Sequence, residues 1–376
     1  MSNLPKKVYV ELTTRCNLRC QMCVKFMPGS CITEMDMDVA LFRQLLPFLT
    51  HTKSLILNGI GESLLHPDLV EIIALARQRM GKEGLIGLQS NGLLIDKPLA
   101  LAMIQAGLSS ICLSVEGFDA SVSSHKSAAG EHSFSAVATA ISNLAWAKKR
   151  TGGVCKIGIE VVLSKGSVDQ LPALVSWAAA NEVDFILTTH LILYDKATER
   201  ENLFNPNSRE AVQLYNKYQQ LATAKGIDLV TGFAEYRKYA GTRSDSDVLY
   251  LFREMLSEAR EKDIRLNLDN LHTQNDTLME DVTRSIDMAH DIAKSHGVEL
   301  FTPPLQATSQ RNCPFVEEET AFIAPNGDVM PCHFLWHSYV CRVLNEDIQV
   351  QKRIFGNITE QPFEQIWRRK EYKRFR

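Results

Sequence analysis

The chain has 376 residues, 45% hydrophobic and 23% charged, with a formal net charge of −3, which allows one large α/β domain plus a smaller one. The small net charge gives no indication of nucleic-acid binding. No apolar run approaches the roughly 20 residues that are needed to span a membrane. The polar, basic start is not a signal peptide, and nine scattered cysteines suit a reducing cytoplasm better than a disulfide framework.

Short β-branched runs alternate with amphipathic helical stretches up to about residue 193. The predicted strands are residues 8–12, 54–58, 85–90, 110–115, 156–163 and 184–193. Helical stripes lie between them, such as residues 134–144 and residues 41–49, where Pro47 falls near the end of one predicted helix. Six strands alternating with helices predict a parallel sheet with right-handed crossovers. Such a sheet places its chemistry at the carboxyl ends of the strands.

Three cysteines follow the first predicted strand directly. Cys16, Cys20 and Cys23 are separated by three and then two residues, which supplies three ligands where a cubane iron–sulfur cluster has four irons. Clusters that only transfer electrons usually take four cysteines, so one iron would stay open for a small molecule. A structural zinc site prefers four ligands in paired spacings, and no Cys or His follows at a distance that would complete one.

Glycine and polar residues follow the next three strands. The second strand leads into Gly59-Ile60-Gly61-Glu62, the third ends at Ser90-Asn91-Gly92, and the fourth ends at Ser114-Val115-Glu116-Gly117. Glycines let the backbone approach a ligand closely, and Glu62 can either contact that ligand or pin the loop. An Asn-Gly pair by itself indicates only a turn.

The cysteine spacing directly after an apolar strand resembles the radical S-adenosylmethionine (SAM) superfamily. In that family the open iron chelates SAM, and an electron from the cluster cleaves it to a 5′-deoxyadenosyl radical. The loop at 59–62 is similar to the family's Gly-Gly-Glu-Pro motif, with Ser63 in place of proline. A side chain at Gly61 would therefore occupy cofactor space. The resemblance implies cluster ligation by Cys16, Cys20 and Cys23, and SAM contacts from Gly59, Gly61, Glu62, Ser90, Asn91, Ser114, Glu116 and Lys126.

Three more cysteines stand near the other end of the sequence. Asn326-Gly327-Asp328 predicts a β-hairpin that brings Cys313 and Cys332 together, and Cys341 follows. This region resembles the SPASM or twitch extension of radical SAM enzymes, which implies an auxiliary iron–sulfur cluster. The candidate fourth ligands are His333, His337, Asp328 and the substrate itself. The alternative is that Cys341 is a small buried hydrophobe and the domain holds no cluster.

The stretch from about residue 195 to 300 is longer than this family typically needs. It contains three predicted helix–turn–strand units, with strands at 227–230, 264–268 and 298–301. The expected α/β architecture is a partial (β/α)6 TIM-like barrel over residues 1–200, a helix-rich insertion over 201–300, and a small SPASM/twitch-like α+β domain over 301–376. The insertion would cover the barrel mouth or mediate self-association.

The resemblance implies an oxidoreductase or maturase whose radical abstracts hydrogen from an unactivated carbon. Oxidative modification of a peptide or protein side chain is the favoured reaction. The alternatives are a small sugar, an aminocyclitol or a nucleotide as substrate, and a non-enzymatic iron–sulfur electron carrier. The expected partners are a flavodoxin- or ferredoxin-type reductant and the substrate. Because only about seven residues precede the first strand, any leader-binding domain would be a separate protein.

Overall fold

The computed structural model describes residues 4–115, 134–196, 198–239, 246–273, 276–308, 312–344 and 346–376. The chain divides into two compact units. Unit 1 comprises residues 1–202, 284–302 and 312–376, and unit 2 comprises residues 203–283 and 303–311. Among the helices in these ranges, none combines the length and apolar character that a membrane crossing requires.

The strands are short and are spread along the whole sequence. They are β1 (Lys7–Val10), β2 (Ser54–Leu57), β3 (Leu85–Ser90), β4 (Ser110–Val115), β5 (Lys156–Leu163), β6 (Phe185–His190), β7 (Glu299–Phe301), β8 (Thr320–Ile323), β9 (Asp328–Met330), β10 (Tyr339–Val343), β11 (Glu346–Val350) and β12 (Gly356–Asn357). The six strands predicted from the sequence correspond to β1–β6.

Helices fill the connections between the strands. Those of unit 1 are α1 (Val39–Arg43), α2 (Leu46–Leu49), α3 (Leu69–Met80), α4 (Lys97–Gln105), α5 (Phe134–Thr151) and α6 (Leu171–Ala180). Next in chain order come α7 (Arg209–Ala224), α8 (Leu229–Tyr239), α9 (Asp247–Glu261), α10 (Leu268–Thr273), α11 (Asp276–His296), α12 (Pro314–Glu317), α13 (Phe363–Arg368) and α14 (Lys370–Phe375). The single helix predicted over 41–49 is instead α1 and α2, because Pro47 lies in the first turn of α2.

One sheet in unit 1 contains every strand except the β10–β11 hairpin. Its order is β12-β9-β8-β1-β2-β3-β4-β5-β6-β7, and the strands from β8 to β7 in that order are all parallel. The α/β class with a parallel sheet is thus confirmed. β8 pairs with β1 from Lys7↔Thr320 to Val10↔Ile323, so a strand near the end of the sequence extends the predicted sheet.

Burial explains why the sheet and its helices adopt this arrangement. Val8 and Val10 of β1 are fully buried, as are Leu55 and Leu57 of β2, which fits strands covered on both faces. The predicted stripe over 134–144 forms the buried face of α5, while the end of that helix is basic and exposed. The apolar pattern alone therefore specified most of unit 1.

Unit 2 has its own helical core and lacks two predicted strands. Residues 227–230 and 264–268 were expected to be strands, but each leads into a helix, α8 and α10. Asp228 Oδ1 accepts from the Val230 N–H at 2.9 Å, and Asn267 Oδ1 accepts from the Asn270 N–H at 2.9 Å. Both residues thus cap a helix start, and a short apolar run after such a cap continues as helix. The third predicted strand is present as β7 and belongs to unit 1.

Arg77 on α3 ties together the two loops that precede β3 and β4. Its guanidinium donates to Gly84 O at 2.7 Å, Gly107 O at 2.7 Å and Ser109 Oγ at 2.6 Å. We expect Arg77→Met to lower the free energy of unfolding by about 1–3 kcal/mol, because half-buried acceptors lose their donor. Urea denaturation measures the change. Arg79→Met, an exposed position on the same helix, is the control and should stay within about 0.5 kcal/mol of the parent. Equal effects would contradict this role of Arg77.

Candidate active site

A cavity of about 290 Å³ lies in unit 1 at the carboxyl ends of the parallel strands. Its walls come from the loop after β1 and from the ends of β2 to β5. The residues singled out from the sequence that line it are Cys16, Cys20, Cys23, Gly59, Gly61, Glu62, Ser90, Asn91 and Ser114. Glu116 and Lys126 lie outside the described residues. Sequence positions up to 98 residues apart thus meet at one place, as the parallel topology requires.

The cysteine loop is held in place mainly by Arg15, which precedes Cys16. The Arg15 guanidinium donates to both carboxylate oxygens of Asp36, at 2.9 and 2.7 Å, and to Leu65 O at 2.8 Å. The Arg15 carbonyl accepts from the Glu62 N–H at 2.7 Å. These contacts fix the cysteine loop against the loop that follows β2.

Lys25 places a positive charge beside the cysteines. Its side chain is only 6% exposed, and Nζ donates to Thr14 O at 2.7 Å and to Glu34 Oε1 at 3.0 Å. Burial raises the pKa of the Cys16 and Cys23 thiols, while the charge of Lys25 acts in the opposite direction on both. Since the thiolate is the form that binds metal, Lys25 favours the ligating state.

The three thiols supply a donor set for an iron–sulfur cluster. Cys16, Cys20 and Cys23 are half-buried, carry no disulfide and line the same cavity. The donor set is therefore suited to an iron–sulfur cluster with one iron open.

Glu62 pins two loops together. Its carboxylate accepts from the N–H of Leu64 at 3.0 Å, the hydroxyl of Ser90 at 2.9 Å and the N–H of Asn91 at 2.7 Å. Burial raises the pKa of Glu62, and these three hydrogen bonds oppose that rise. The Asn91 amide in turn donates to Asn17 Oδ1 at 2.7 Å, within the cysteine loop. Of the two roles left open for Glu62, the observed contacts are those of loop pinning.

Gly59 and Gly61 are required by the protein's own packing. A Cβ on Gly59 would lie 2.2 Å from Glu11 Cγ, and one on Gly61 would lie 2.2 Å from Thr13 O and 2.6 Å from Arg15 O. Neither glycine has a positive φ. The expectation that a side chain at Gly61 would point into cofactor space is therefore wrong, because that direction faces the backbone before the cysteine loop.

Glu11 is a site residue that the sequence analysis missed. It directly follows β1 and is fully buried, and its Oε1 accepts from the Ile60 N–H at 2.7 Å. Its Oε2 has no hydrogen-bond partner among the described residues and lies 3.9 Å from His337 Nε2. A carboxylate inside the otherwise apolar run predicted as the first strand was the only available signal. Glu11 supports the Gly59–Gly61 loop from beneath.

Glu11 should make stability depend on pH. Burial raises its pKa to about 8, against the hydrogen bonds from Ile60 and Gly61 and the charge of Lys25. The native state then keeps a proton that the unfolded chain, with a pKa near about 4.3, releases. The free energy of unfolding therefore falls as pH rises between these two values, by up to about 1.4 kcal/mol per unit.

We expect Glu11→Gln to flatten this dependence, so that the variant gains stability relative to the parent as pH approaches 8. Urea denaturation across that window measures the difference. Glu83→Gln, at an exposed position, is the control and should leave the pH profile unchanged. Parallel profiles for Glu11→Gln and the parent would show that Glu11 is ionised in the native state.

Three further polar residues line the cavity and were not anticipated. Asn58 and Gln89 hydrogen-bond to each other, and Glu160 lies directly opposite Ser114 in the β4–β5 register. Burial raises the pKa of Glu160, whose carboxylate has no hydrogen-bond partner in the described part of the chain. Its signal in the sequence was a single acidic residue in an apolar strand.

In the second cysteine set, Cys313 and Cys332 lie close enough for the charge of one to act on the other. Cys313 is exposed and Cys332 is half-buried; burial raises the pKa of the Cys332 thiol, and the charge of Cys313 adds to the rise. Burial also raises the pKa of Tyr339 to about 12, with contributions from Cys341 and Cys332. The β8–β9 hairpin predicted from Asn-Gly-Asp is present and lies between Cys313 and Cys332 in the sequence.

The candidate fourth ligands differ in their surroundings. Asp328 accepts from the amides of Asn326 and Asn357, which engages both carboxylate oxygens. His333 packs against the rings of Tyr9 and Phe315, and burial lowers its pKa to about 4. A neutral imidazole at neutral pH can bind metal. His337 Nε2 lies 3.9 Å from Glu11 Oε2.

Comparison with known proteins agrees with this geometry. Residues 10–163 match the radical SAM superfamily, and residues 313–376 match SPASM, an iron–sulfur cluster-binding domain. The chain is 24% identical over 376 residues to a tungsten-containing aldehyde ferredoxin oxidoreductase cofactor-modifying protein of Pyrococcus furiosus, covering 99% of this chain and 83% of that protein.

Solved structures share the fold. Streptococcus suis SuiB bound to S-adenosylmethionine has a TM-score of 0.57 at 13% identity, over 100% of this chain and 68% of that one. SuiB bound to precursor peptide SuiA has a TM-score of 0.53 at 14% identity, over 98% and 66%. The chain therefore belongs to the radical SAM superfamily, as an enzyme that uses an iron–sulfur cluster and S-adenosylmethionine and carries a SPASM domain over residues 313–376.

Proposed function

We propose that this enzyme abstracts a hydrogen atom from an unactivated carbon of a peptide or protein side chain and oxidises it. The observation that carries the proposal is one cavity, in which the cysteine loop after β1 meets the ends of β2 to β5. When bound, the cluster and SAM supply a 5′-deoxyadenosyl radical as the hydrogen-abstracting agent. The chain's own residues bind, orient and shield them.

Each wall of the cavity has a distinct task in this proposal. Cys16, Cys20 and Cys23 ligate the cluster, and their spacing leaves one iron open. The Gly59–Glu62 loop presents backbone groups to SAM, and Ser90, Asn91 and Ser114 provide polar contacts farther along the strand ends. Glu62 and Asn91 also keep the loops in register through the hydrogen bonds described above.

The apolar lining of the cavity limits side reactions. Leu18, Met22, Val115 and Val162 face the same space as the polar groups. An apolar wall keeps water away from a reactive radical, so that the radical reacts with the substrate. Glu160, whose carboxylate has no hydrogen-bond partner among the described residues, is available to accept a hydrogen bond from a ligand.

Cleavage of SAM tests the central claim. Anaerobically reconstituted protein, reduced with dithionite, should convert SAM to 5′-deoxyadenosine and methionine, which chromatography with mass detection quantifies. Protein that binds a cluster yet releases no 5′-deoxyadenosine with any low-potential reductant would refute it.

Support for a peptide substrate comes from the SuiB complex with its precursor peptide, which shares this fold. A second candidate is modification of a metal-containing cofactor, favoured by the match to the cofactor-modifying protein of Pyrococcus furiosus along almost the whole chain. Deuterium transfer into 5′-deoxyadenosine distinguishes the two. A deuterated peptide substrate should transfer deuterium into 5′-deoxyadenosine and lose two hydrogen atoms. If deuterium enters 5′-deoxyadenosine only from a deuterated metal-containing cofactor, the peptide substrate is refuted and cofactor modification is supported.

Residues 301–376 would contribute the auxiliary cluster through Cys313, Cys332 and Cys341. Such a cluster suits an oxidative outcome, because it can accept the second electron from the substrate. In this proposal residues 1–200 carry the radical chemistry and residues 201–300 form the helix-rich insertion.

A further inference from the structure

The last part of the sequence carries a concentrated positive charge. Residues 352–376 contain eight Lys and Arg against three Asp and Glu, a net charge of +5 in a chain whose total is −3. The rest of the chain is therefore acidic. A basic segment inside an acidic protein attracts an acidic partner to one place on its surface.

The charge is displayed on one face of α14. Lys370, Lys373 and Arg374 are three and four residues apart, so they share a side of this helix, and all three are exposed. We call them the basic face. None of the three has an ion-pair partner among the described residues, unlike Lys217 and Lys262, which both pair with Glu258. The basic face is thus available to an external partner.

The opposite side of α14 is anchored beside a proposed cluster ligand. Tyr372 is fully buried, stacks on Phe355 with ring centroids 4.3 Å apart, and donates from its hydroxyl to Met330 O at 3.0 Å. Met330 stands two residues before Cys332. A partner on the basic face would therefore dock one helix away from Cys332.

We propose that the basic face is the docking surface of an acidic one-electron carrier protein of the flavodoxin or ferredoxin type. The inference rests on the proposed function, which draws electrons from outside the chain. The reduced carrier loses one electron and the cluster of the SPASM domain gains it. Passing that electron on to the cluster held by Cys16, Cys20 and Cys23 leaves the SPASM cluster oxidised again, so that it can accept the electron that the substrate gives up. No bond forms or breaks, and no proton must move.

Electrostatic complementarity favours this partner. Oppositely charged patches mainly accelerate encounter, so the association rate should be fast at low ionic strength and should fall with added salt. An anionic membrane or a nucleic acid could also bind basic residues. A membrane or a nucleic acid could bind basic residues anywhere on the surface. An electron carrier must dock near a cluster, and the basic face lies one helix away from the proposed ligand Cys332.

Charge reversal tests the proposal directly. The triple variant Lys370→Glu/Lys373→Glu/Arg374→Glu changes only the basic face. The matched control is Lys53→Glu/Arg79→Glu/Lys82→Glu, which makes the same charge change at exposed positions near the amino ends of β2 and β3. Stopped-flow bleaching of the reconstituted protein's iron–sulfur absorbance by reduced flavodoxin gives the electron-transfer rate. Calorimetry gives flavodoxin affinity for the protein as purified.

We expect the face variant to lose at least tenfold in second-order rate and in affinity at low salt. The control should change by less than threefold, and reduction by dithionite should be unaffected in both. If charge reversal disturbs folding, judged by thermal unfolding, Lys370→Gln/Lys373→Gln/Arg374→Gln should show the same loss in smaller measure.

Unchanged flavodoxin rates and affinity in the face variant would overturn the docking assignment. So would a variant that loses binding to duplex DNA or to anionic phosphatidylserine vesicles while its flavodoxin rate is normal. Neither result touches the proposed function, which depends on dithionite-driven release of 5′-deoxyadenosine. Conversely, wild-type protein that makes no 5′-deoxyadenosine but binds flavodoxin through the basic face would refute only the proposed function.

Discussion

Replacing Cys16, Cys20 and Cys23 together with Ala should abolish the formation of 5′-deoxyadenosine from SAM. The three thiols line the cavity, and without them no cluster can be held there to deliver the electron. Anaerobic reconstitution, reduction with dithionite and quantitative chromatography measure the product. Cys31→Ser is the control, since this exposed thiol hydrogen-bonds to Gly29 O at 3.5 Å and is not among the described residues that line the cavity of Cys16, Cys20 and Cys23. A triple variant that still makes 5′-deoxyadenosine would defeat the assignment of these ligands.

The same triple variant reports on the second cysteine set. If Cys313, Cys332 and Cys341 hold a cluster, the variant should retain about four irons and charge-transfer absorbance. Iron analysis of the folded variant measures this. Absence of iron in a protein that still unfolds cooperatively would mean that the SPASM domain of this chain holds no cluster.

Gly61→Ala should weaken SAM binding at least tenfold and lower the free energy of unfolding by about 1–3 kcal/mol. The added Cβ would lie 2.2 Å from Thr13 O and 2.6 Å from Arg15 O. Both atoms are backbone, so the conflict is relieved only by separating the loop after β2 from the cysteine loop. The Glu62 N–H would then lose its bond to Arg15 O. Equilibrium dialysis with SAM and urea denaturation measure the two effects.

Gly166→Ala is the matched control, because the nearest atom to its Cβ is Glu201 Oε2 at 3.4 Å. Gly84 is unsuitable, since a Cβ there would lie 2.6 Å from Met80 Cβ. Normal SAM affinity in the Gly61 variant would show that the loop after β2 does not hold the cofactor.

Local patterns were sufficient to predict the strands and the cysteine loop. Residues 85–90, 110–115 and 156–163 are strands with the expected bounds, because continuous apolar runs between turn signals specify buried parallel strands. Because these strands are parallel, their carboxyl ends lie at the same edge of the sheet. Ser90 and Ser114 could therefore be assigned to the site from the sequence.

Features that depend on long-range contacts could not be read in advance. Whether β8 pairs with β1 depends on residues more than 300 positions apart, and no local signal encodes that choice. Glu11 looked like an irregularity in an apolar strand until its contact with Ile60 was known. The reason for Gly61 was likewise misjudged, because the direction of an absent side chain depends on the neighbouring loop.

The parallel pairing of β8 with β1 has a consequence for dissecting this protein. Cutting the chain before residue 313, where the SPASM match begins, would leave the first strand with a row of unsatisfied backbone donors and acceptors. Exposed strand edges of this kind recruit other chains and aggregate. The radical SAM and SPASM domains therefore fold as one unit, joined by the β1–β8 pairing. A fragment limited to the radical SAM domain should be recovered only as insoluble material.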